Sequence, residues 1–430
     1  MSTPEPGRTT LFGRLPLPER RFLARALHQE AVGGGILLVA AVLGVLAANS
    51  GVAEAYESLQ DFVIGPAALN LDLSVQTWAA DGLLAIFFFI AGLELKRELV
   101  VGSLRSPAAA ALPIVAAFGG MVVPAALYLA LTSGTPGAAE GWAIPMATDI
   151  AFALGVLAVA GRHLPPALRA FLLTLAIVDD MGAITVIAVF YTDALLVWPL
   201  VAAAALCVVW WLLQRRRVTS WWVYAPLAFV VWALVHDSGV HATIAGVVLG
   251  LLMRVKPDPG EADSPAERVE DRLRPWSAGF AVPLFAFLAA GVPLSAAKVS
   301  AVFTEPIGQG IVVGLVGGKL IGVFLGAYLT ARLTRATLSK DLSWLDVGAV
   351  ALVAGVGFTV SLLITELAFE GDEGALEQAT TAVLVASVVA ALLASVVLYA
   401  RGRAYQRIEA EDAAAEAAEA AEVGPPPQQP

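Results

Sequence analysis

The sequence predicts an all-α membrane protein whose helices cross the bilayer about twelve times. Apolar residues make up 58% of the 430 residues and charged residues only 14%, a balance typical of membrane proteins. Apolar runs of about 17–25 residues, long enough to cross a hydrocarbon core, recur along the chain. The basic residues favour every second connection between these runs, as the positive-inside rule requires. Together these observations predict a polytopic helical bundle.

The distribution of Lys and Arg predicts the topology. When the connections are assigned alternately to the inside and the outside, 24 of the 26 basic residues fall in inside segments. Lys298 lies in an outside segment and Lys319 lies within a predicted helix. An even number of spans with both termini in the cytoplasm follows. We therefore expect a multi-pass protein of the cell (inner) membrane.

The chain divides into three regions. Residues 1–30 are expected to form a cytoplasmic segment with a short interfacial helix, and residues 31–401 the transmembrane domain. Residues 402–430 are acidic, Ala-rich and then Pro-rich, and we expect a cytoplasmic tail that begins as a solvated helix and continues into disorder. This tail supplies six carboxylates to the net charge of −10, so the charge indicates no particular partner and no nucleic acid is expected. No cleavable signal peptide is expected, because the first long apolar run begins only near Ala31.

The connection formed by residues 52–76 has its own pattern. Its last residues, NLDLSV, alternate apolar and polar side chains as a strand does. A solitary hairpin is only marginally stable in water. The segment is therefore either a hairpin that pairs with another copy of the chain or an ordered loop, and the residues alone leave both open.

Two adjacent carboxylates, Asp179 and Asp180, stand in the middle of the run LLTLAIVDDMGAITVIAVF, which contains no other ionisable residue. Each costs about 2.5–3.5 kcal/mol at the centre of a membrane helix, so the pair indicates a function. The structural alternative is a protonated carboxyl that hydrogen-bonds to a neighbouring helix. Adjacent side chains on a helix point about 100° apart, so one carboxylate can line a cavity while the other reaches a different neighbour.

Two predicted spans are interrupted near their middle. In the fourth span Pro145, Thr148 and Asp149 break the helical pattern, and in the eleventh span Gly355 and Gly357 do so. Each of these spans is the second member of a group of three. Paired interruptions of this kind predict inverted-topology repeats whose broken helices cross near the bilayer midplane, where the binding site lies.

The tenth span carries Lys319 at its middle, among glycines at every fourth position. Close packing against another helix explains the glycines. A lysine inside the membrane is expected to pair with a carboxylate, and Asp149, Asp179 and Asp180 are the candidates. The N-termini of the half-helices carry partial positive charge and their C-termini partial negative charge. We expect Asp149 to offset the charge of the N-termini and Lys319 the charge of the C-termini.

Several motifs point to one family. ATDIAFALG is followed by VDDMGAI, so that Asp179 comes 30 residues after Asp149, and the chain also contains GLELKRE, GVHATIAG, RPW with VPLFAF and AGV, GGKLIG and GVGFTVS. In these motifs, from about Ala31 to Arg401, the chain resembles the NhaA family of sodium/proton antiporters. NhaA proteins are among those that define the inverted-repeat pattern, so agreement with that pattern is not independent support.

The resemblance implies roles for the intramembrane residues. Asp179 and Asp180 match the pair that binds Na⁺ and carries protons in the family. Lys319 matches the lysine that pairs with the first of these aspartates. Thr148 and Asp149 match residues at the break of the fourth span, where they support the ion site.

The resemblance also implies a pH response and a dimer. Glu94 and Glu270 match acidic residues of a pH-responsive cytoplasmic funnel. Where some members carry histidines near the ninth span, this chain has Asp271 and Arg274, so a response based on those histidines is not expected. Residues 52–76 match an external β-hairpin that joins two protomers, which implies a homodimer.

The expected function is secondary active antiport of cytoplasmic Na⁺ or Li⁺ against external H⁺. A hard cation prefers oxygen ligands, which the two carboxylates, Thr148 and freed backbone carbonyls supply. Protons and the cation then compete for one site, and alternating access to that site gives exchange. The resemblance implies electrogenic exchange of two H⁺ per Na⁺, in the service of pH and sodium homeostasis. We expect no enzyme activity and no cofactor.

Two other functions remain open on the residues alone. An intramembrane aspartyl protease needs aspartates on separate helices; Asp149 with Asp180 is the only workable dyad, and the sequence lacks Gly-x-Gly-Asp. A sodium-coupled symporter or a K⁺-selective exchanger would also use buried carboxylates. The sequence contains no recognisable phosphate-binding loop, so it gives no indication of an ATP-driven pump.

Overall fold

The computed structural model describes residues 17–423 apart from 106, 162–163, 193–194, 335, 337 and 339–341. Within these limits the chain is almost entirely helical, and its sheet has two short strands. The predicted all-α polytopic fold is therefore confirmed. The predictions for residues 1–16 and 424–430 lie outside the described residues.

The elements follow one another with short connections. The first part of the chain contains α1 (Leu17–Ala48), α2 (Ala53–Gln60), β1 (Val63–Ile64), β2 (Leu73–Ser74), α3 (Val75–Thr77), α4 (Leu84–Val100), α5 (Pro107–Thr132), α6 (Ile150–Ala160) and α7 (Pro166–Phe190). The second part contains α8 (Val197–Arg215), α9 (Trp221–Asp237), α10 (Thr243–Leu251), α11 (Pro265–Trp276), α12 (Val282–Ala289), α13 (Ala296–Thr304), α14 (Pro306–Val312), α15 (Lys319–Leu333), α16 (Trp344–Val353), α17 (Phe358–Ala368) and α18 (Glu373–Val423). Short 3₁₀ segments lie at Ala67–Leu69, Ser103–Arg105 and Ala138–Met146, and π turns at Trp78–Leu83, Ser277–Ala281 and Val313–Gly318 join the helices on either side of them.

Many of these helices are long and apolar enough to cross a membrane. Six described stretches meet this condition alone, and up to nine do if each strongly bent pair counts as one span. The other predicted spans coincide with α9, α10 and the stretch from α11 to α12, which are shorter or carry more charge. The helices thus lie where the apolar runs of the sequence predicted them.

The first and last helices continue beyond the predicted membrane domain. α1 begins at Leu17 and is continuous, so residues 17–30 are helical and lead directly into the first span. At the other end α18 continues to Val423, so residues 402–423 are helical as well. The Ala and Glu residues of this stretch have high helix propensity, which accounts for the extension.

The connection between α1 and α4 contains the predicted hairpin. Its strands β1 and β2 pair in antiparallel register. Gly65 in the connection has φ +126°, and a Cβ there would lie 1.9 Å from the Leu71 carbonyl oxygen, so glycine is required. Trp78 Nε1 donates to the Ile64 carbonyl over 2.8 Å and so attaches the hairpin to the bundle.

Two groups of three spans have the same arrangement and opposite directions. The first group comprises α5, residues 138–160 and α7, and the second comprises α14 with α15, residues 344–368 and α18. Where α5 and α15 touch, Gly119 lies against Gly322 and Val115 against Gly326. Rising residue numbers on one helix meet falling numbers on the other. The equivalent helices are therefore antiparallel, as inverted repeats require.

The middle segment of each group is bent at a short non-helical break. The 3₁₀ segment Ala138–Met146 and α6 meet at 43°, and α16 and α17 meet at 48°. The breaks are residues 147–149 and 354–357. Both interruptions predicted from the sequence are therefore present.

A large apolar cluster surrounds the two breaks. Ile144, Leu315, Val356 and Phe358 are all buried members of it. These side chains come from both groups of spans. The polar groups of the breaks consequently lie in an apolar surrounding, where each unpaired group is costly.

Ion pairs hold the connection between α10 and α11. Arg254 donates to both carboxylate oxygens of Glu261, over 2.8 and 3.0 Å, and Arg268 adds a contact of 3.3 Å. The hydrogen bonds from Arg254 lower the pKa of Glu261 from 4.5 to about 2. Because this carboxyl pKa is depressed, its contribution to stability is complete above pH 4.5 and is lost as the pH falls through about 2.

We expect Gly322→Ala to destabilise the fold, because its Cβ would lie 2.1 Å from the Gly119 carbonyl oxygen and would force α5 and α15 apart. Overpacking of this kind typically costs about 1–3 kcal/mol. Gly317→Ala is the matched control, since a Cβ there has no neighbouring atom within 4 Å. Thermal unfolding of the two purified variants measures the difference. Equal melting temperatures would contradict the close packing of these helices.

Candidate functional site

The two breaks lie against each other and form the centre of the site. The Asp149 backbone N–H donates to the Val356 carbonyl over 2.7 Å. The Thr148 hydroxyl donates to the Ala354 carbonyl over 2.8 Å. Both carbonyls follow α16, and the last carbonyl groups of a helix have no partner within it. The first break therefore provides hydrogen-bond donors for the carbonyl groups that follow α16, the first half of the second broken segment.

Asp149 binds both broken segments. One carboxylate oxygen accepts a hydrogen bond from the Phe152 N–H at the start of α6, over 2.9 Å. The other oxygen accepts from the N–H and the hydroxyl of Thr359 at the start of α17, over 3.1 and 2.6 Å. A single buried carboxylate thus caps two helix N-termini, where the helix dipole favours negative charge.

Gly355 and Gly357 allow the second break to pass close to its neighbours. A Cβ at Gly355 would lie 2.5 Å from the Leu315 carbonyl oxygen, and a Cβ at Gly357 would lie 2.2 Å from the Ser361 hydroxyl. Gly357 has φ −88°, which any residue can adopt. Space, rather than backbone conformation, is therefore the reason for glycine at these positions.

Lys319 and Asp179 form a buried ion pair. Lys319 Nζ lies 2.6 Å from Asp179 Oδ2, and the two side chains are 0% and 1% exposed. The Thr148 hydroxyl also faces the Asp179 carboxylate and connects this pair to the first break. Lys319 therefore pairs with one of the three candidate carboxylates, while Thr148 and the Asp149 backbone donate to the carbonyls after α16. The expected effect of Lys319 on the C-terminal ends of the half-helices stays a prediction.

Asp180 is buried beside this pair but is bonded differently. It is 1% exposed, and neither of its carboxylate oxygens has a hydrogen-bond partner among the residues that the structure describes. The same holds for the second oxygen of Asp179. The charged groups that act on Asp180 are Asp179, Asp149, Lys319 and Glu94. The three unpartnered carboxylate oxygens are suitable ligands for a proton or a hard cation.

A second charged cluster lies at the end of the bundle predicted to be cytoplasmic. Arg274 of α11 bonds both Glu94 of α4 and Glu270 of α11, and Arg97 lies 3.8 Å from Glu270. The structure thus brings the two predicted funnel residues together. The guanidinium between them remains charged at physiological pH, unlike an imidazole. Asp271, the other departure from the family pattern, lies on the exposed side of α11.

The sequence did not reveal a third cluster, which contains Asp81 and two histidines. Asp81 Oδ2 lies 3.2 Å from His236 Nδ1, and its Oδ1 lies 3.4 Å from His241 Nδ1. Trp232 Nε1 donates to the Asp81 carbonyl over 2.9 Å. These contacts join the π turn before α4 to α9 and to the residues that precede α10. Asp81 therefore holds both imidazoles in place.

Two hydroxyl groups beside the breaks were also not recognised as site residues. Ser361 donates to the Ile144 carbonyl over 2.8 Å, and Ser387 of α18 accepts from the Phe358 N–H over 3.1 Å. Serine in a membrane helix commonly bonds to its own helix, so its presence in an apolar run is no signal. For Ser361 the one available signal was its position shortly after Gly355 and Gly357, the glycines of the second break. Ser387 has no such signal.

The chain is similar to known sodium/proton antiporters over most of its length. A family model described as Na⁺/H⁺ antiporter 1 matches residues 24–398. The Na(+)/H(+) antiporter NhaA 3 of Streptomyces coelicolor is 55% identical over 402 residues, which cover 93% of this chain and 85% of that protein. The Na(+)/H(+) antiporter NhaA 2 of Salinispora arenicola is 55% identical over 95% of both chains, and the NhaA of Mycolicibacterium smegmatis is 53% identical over 95% of both.

We expect Lys319→Ala to lower thermal stability strongly, because it leaves Asp179 buried without its counter-ion. Removal of one partner of a buried ion pair typically costs about 3–5 kcal/mol. In the double variant Lys319→Ala/Asp179→Asn the unpaired charge is absent, so part of the loss should be recovered. Unfolding of both single variants and the double variant gives a double-mutant cycle. Strictly additive losses would contradict a direct interaction.

Proposed function

Because the chain belongs to the Na⁺/H⁺ antiporter 1 family, whose members are transporters rather than enzymes, we propose that it exchanges cytoplasmic Na⁺ or Li⁺ for external H⁺ at Asp179 and Asp180. The family supports Na⁺ and H⁺ as the transported ions and the membrane as the location. The site, the use of Li⁺ and the direction of exchange are the further content of the proposal.

The observation that carries the proposal is the state of Asp180. It is buried, and the described residues provide no hydrogen bond to either of its oxygens. An ionised carboxylate in such a place is strongly unfavourable without a partner. A proton or a cation supplies that partner. The two ions therefore compete for the same oxygens, which is the condition for exchange.

Asp179 and Lys319 complete the ion site in the proposed mechanism. Asp179 holds Lys319 with one oxygen, and its other oxygen has no hydrogen-bond partner among the described residues. When Na⁺ binds, Thr148 and freed carbonyls of the breaks supply further oxygen ligands. When Na⁺ leaves, protons neutralise the site again. The protein thereby alternates between a cation-loaded and a proton-loaded state.

Electrogenic exchange of two H⁺ per Na⁺ requires two groups that gain and lose protons together. Asp180 is the first of these groups. The second is either Asp179 or Lys319, since each changes partner when the cation binds. Both assignments move one net positive charge inward per cycle, so the membrane potential helps to expel Na⁺. The exchange then serves pH and sodium homeostasis.

Alternating access in this proposal uses the antiparallel broken segments. Their breaks are short and meet at hydrogen bonds rather than along a continuous helix ladder. Rocking of one group of spans against the other can therefore open the site to either side while the breaks stay in contact. The bias of 24 basic residues toward one side supports a topology with both termini in the cytoplasm.

The cluster at the cytoplasmic end is proposed as the funnel that admits the cation. Glu94 belongs to this cluster and is also one of the charges that act on Asp180. Glu270 and Arg97 complete the cluster around Arg274. Since Arg274 stays charged, a pH response at this place rests on the carboxyl groups of Glu94 and Glu270.

The hairpin is proposed to join two copies of the chain. Phe62, Val63 and Leu69 on and beside its strands are 61%, 56% and 63% exposed. Two-residue strands form only a marginal sheet, and pairing with a second hairpin would extend it. Trp78 attaches the hairpin to the helical bundle, so pairing of two hairpins would also join the two helical bundles.

We expect Asp180→Asn to abolish cation-driven proton movement, because the amide neither ionises nor exchanges a proton for Na⁺. The assay follows the internal pH of acid-loaded proteoliposomes after addition of Na⁺, Li⁺, K⁺ or choline. Asp72→Asn, the same chemical change at an exposed position of the connection, is the matched control and should behave as wild type. Unaltered exchange by Asp180→Asn would remove Asp180 from the site. Equal responses to Na⁺ and choline in the wild type would contradict sodium exchange.

We expect Phe62→Asp/Val63→Asp to convert the dimer into a monomer, because the charges would face each other across the hairpin contact. Light scattering of the purified protein in detergent measures the molecular mass. Leu294→Asp, a charge placed at another exposed apolar residue, is the control and should leave the mass unchanged. A monomeric wild type, or a dimer that survives the double substitution, would rule out this interface.

A further inference from the structure

The start of α17 is held from two sides. The first N–H groups of a helix have no acceptor within it. The Thr359 N–H donates to Asp149 over 3.1 Å, and the Phe358 N–H donates to the Ser387 hydroxyl oxygen over 3.1 Å. Ser387 lies on α18 and is 2% exposed. The second break is thus capped by the first break on one side and by the last helix on the other.

Asp149 is already engaged as the acceptor of three hydrogen bonds, so it could take the place of Ser387 only at the expense of its present bonds. Its two oxygens already accept from the Phe152 N–H, the Thr359 N–H and the Thr359 hydroxyl. A Phe358 N–H freed from Ser387 would need another acceptor, because it is buried. It would then compete with Phe152 and Thr359 for the carboxylate. The bond to Ser387 therefore preserves the bonds of Asp149.

Phe358 also contacts the first broken segment through its ring. The ring centroids of Phe358 and Phe152 lie 5.6 Å apart. The Phe152 N–H is itself bonded to Asp149. A displacement of Phe358 would consequently reach Asp149 by two routes, through the backbone of Thr359 and through the ring of Phe152.

The contacts then lead to the aspartate pair. Thr148 precedes Asp149, donates to the Ala354 carbonyl and faces the Asp179 carboxylate. Ala354 is the first residue of the second break, and Phe358 is the first residue after it. When Ser387 fixes Phe358, it therefore also limits where Thr148 can stand relative to Asp179.

The last helix holds the other end of the broken segment as well. Arg401 Nε donates to Asp346 over 2.7 Å, and the Tyr405 hydroxyl bonds the same carboxylate over 2.6 Å. Asp346 lies in the first turn of α16. Since α18 is a single helix, it forms a rigid frame for both halves of the segment. Ser387 is the contact of this frame that lies beside the ion site.

We propose that Ser387 is a positioning residue of the cation site, which fixes the start of α17 so that Asp149 and Thr148 keep their places beside Asp179. This inference rests on the proposed function of the aspartate pair. Loss of the Ser387 hydroxyl should weaken cation binding more than it slows turnover, because both carboxylates remain. Weaker cation binding lets protons compete more effectively, so half-maximal exchange should move to higher pH.

The test compares Ser387→Ala, Ser387→Thr and Thr381→Val with the wild type in proteoliposomes, with the KM for Na⁺, the kcat and the pH profile as readouts. Thr381→Val is the matched control, since Thr381 is also buried on α18, and among the described residues its hydroxyl bonds to the Glu377 carbonyl of its own helix, over 2.8 Å. Ser387→Ala is expected to raise the KM for Na⁺ about threefold to tenfold with little change in kcat, and to shift the pH profile to higher pH. Ser387→Thr retains the hydroxyl and should restore both.

The inference about Ser387 and the proposed function fail on different results. Equal KM values and pH profiles in the wild type and Ser387→Ala would overturn the inference, as would an equally large increase of KM in Thr381→Val. If Ser387→Ala does not accumulate in the membrane, Ser387→Cys takes its place, because a thiol is a weaker acceptor, and an unchanged KM in that variant overturns the inference. Absence of sodium-driven proton movement in the wild type would instead overturn the proposed function, so the two failures are distinguishable.

Discussion

The bond of one carboxylate to two helix ends is the interaction on which the site depends. The starts of α6 and α17 each carry the partial positive charge of a helix N-terminus, and they converge at the two breaks. Asp149 accepts three hydrogen bonds from Phe152 and Thr359 and so offsets both ends at once. Because its oxygens accept these bonds, Asp149 holds the two broken segments together, and the proposed function assigns ion binding to the other carboxylates.

The neighbouring aspartates are unequal because a helix points them in different directions. Asp179 reaches α15 and is bonded to Lys319, whereas Asp180 receives no hydrogen bond from the described residues. The position of Lys319 depends on the contact of α15 with α5, which is close only because Gly119 and Gly322 lack side chains. Helix geometry and small residues together therefore create one neutralised carboxylate and one that still needs a partner. A single adjacent pair can thus provide both an anchor and a variable group.

The sequence predicted the spans and the breaks well, because they depend on local signals. Apolar length located the helices, and Thr148, Gly355 and Gly357 located the interruptions. The partner of Lys319 was not predictable from local signals, since three aspartates lay at a suitable depth. The bond between Thr359 and Asp149 joins residues 210 positions apart, and the bond of Ser387 to Phe358 involves a serine with no distinguishing neighbours. Such contacts follow from the packing of the two repeats, which periodicity does not encode.

Within a membrane, backbone groups must find their partners inside the protein. Around the two breaks this requirement is met for the carbonyls of Ile144, Ala354 and Val356 and for the first N–H groups of α6 and α17. The exceptions among the described residues of the crossing are the oxygens of Asp180 and one oxygen of Asp179. These backbone groups are therefore bonded beside the place where carboxylate oxygens have no partner among the described residues. In the proposed function a transported ion would complete the bonding there, and its arrival and departure would consequently change the stability of the crossing itself.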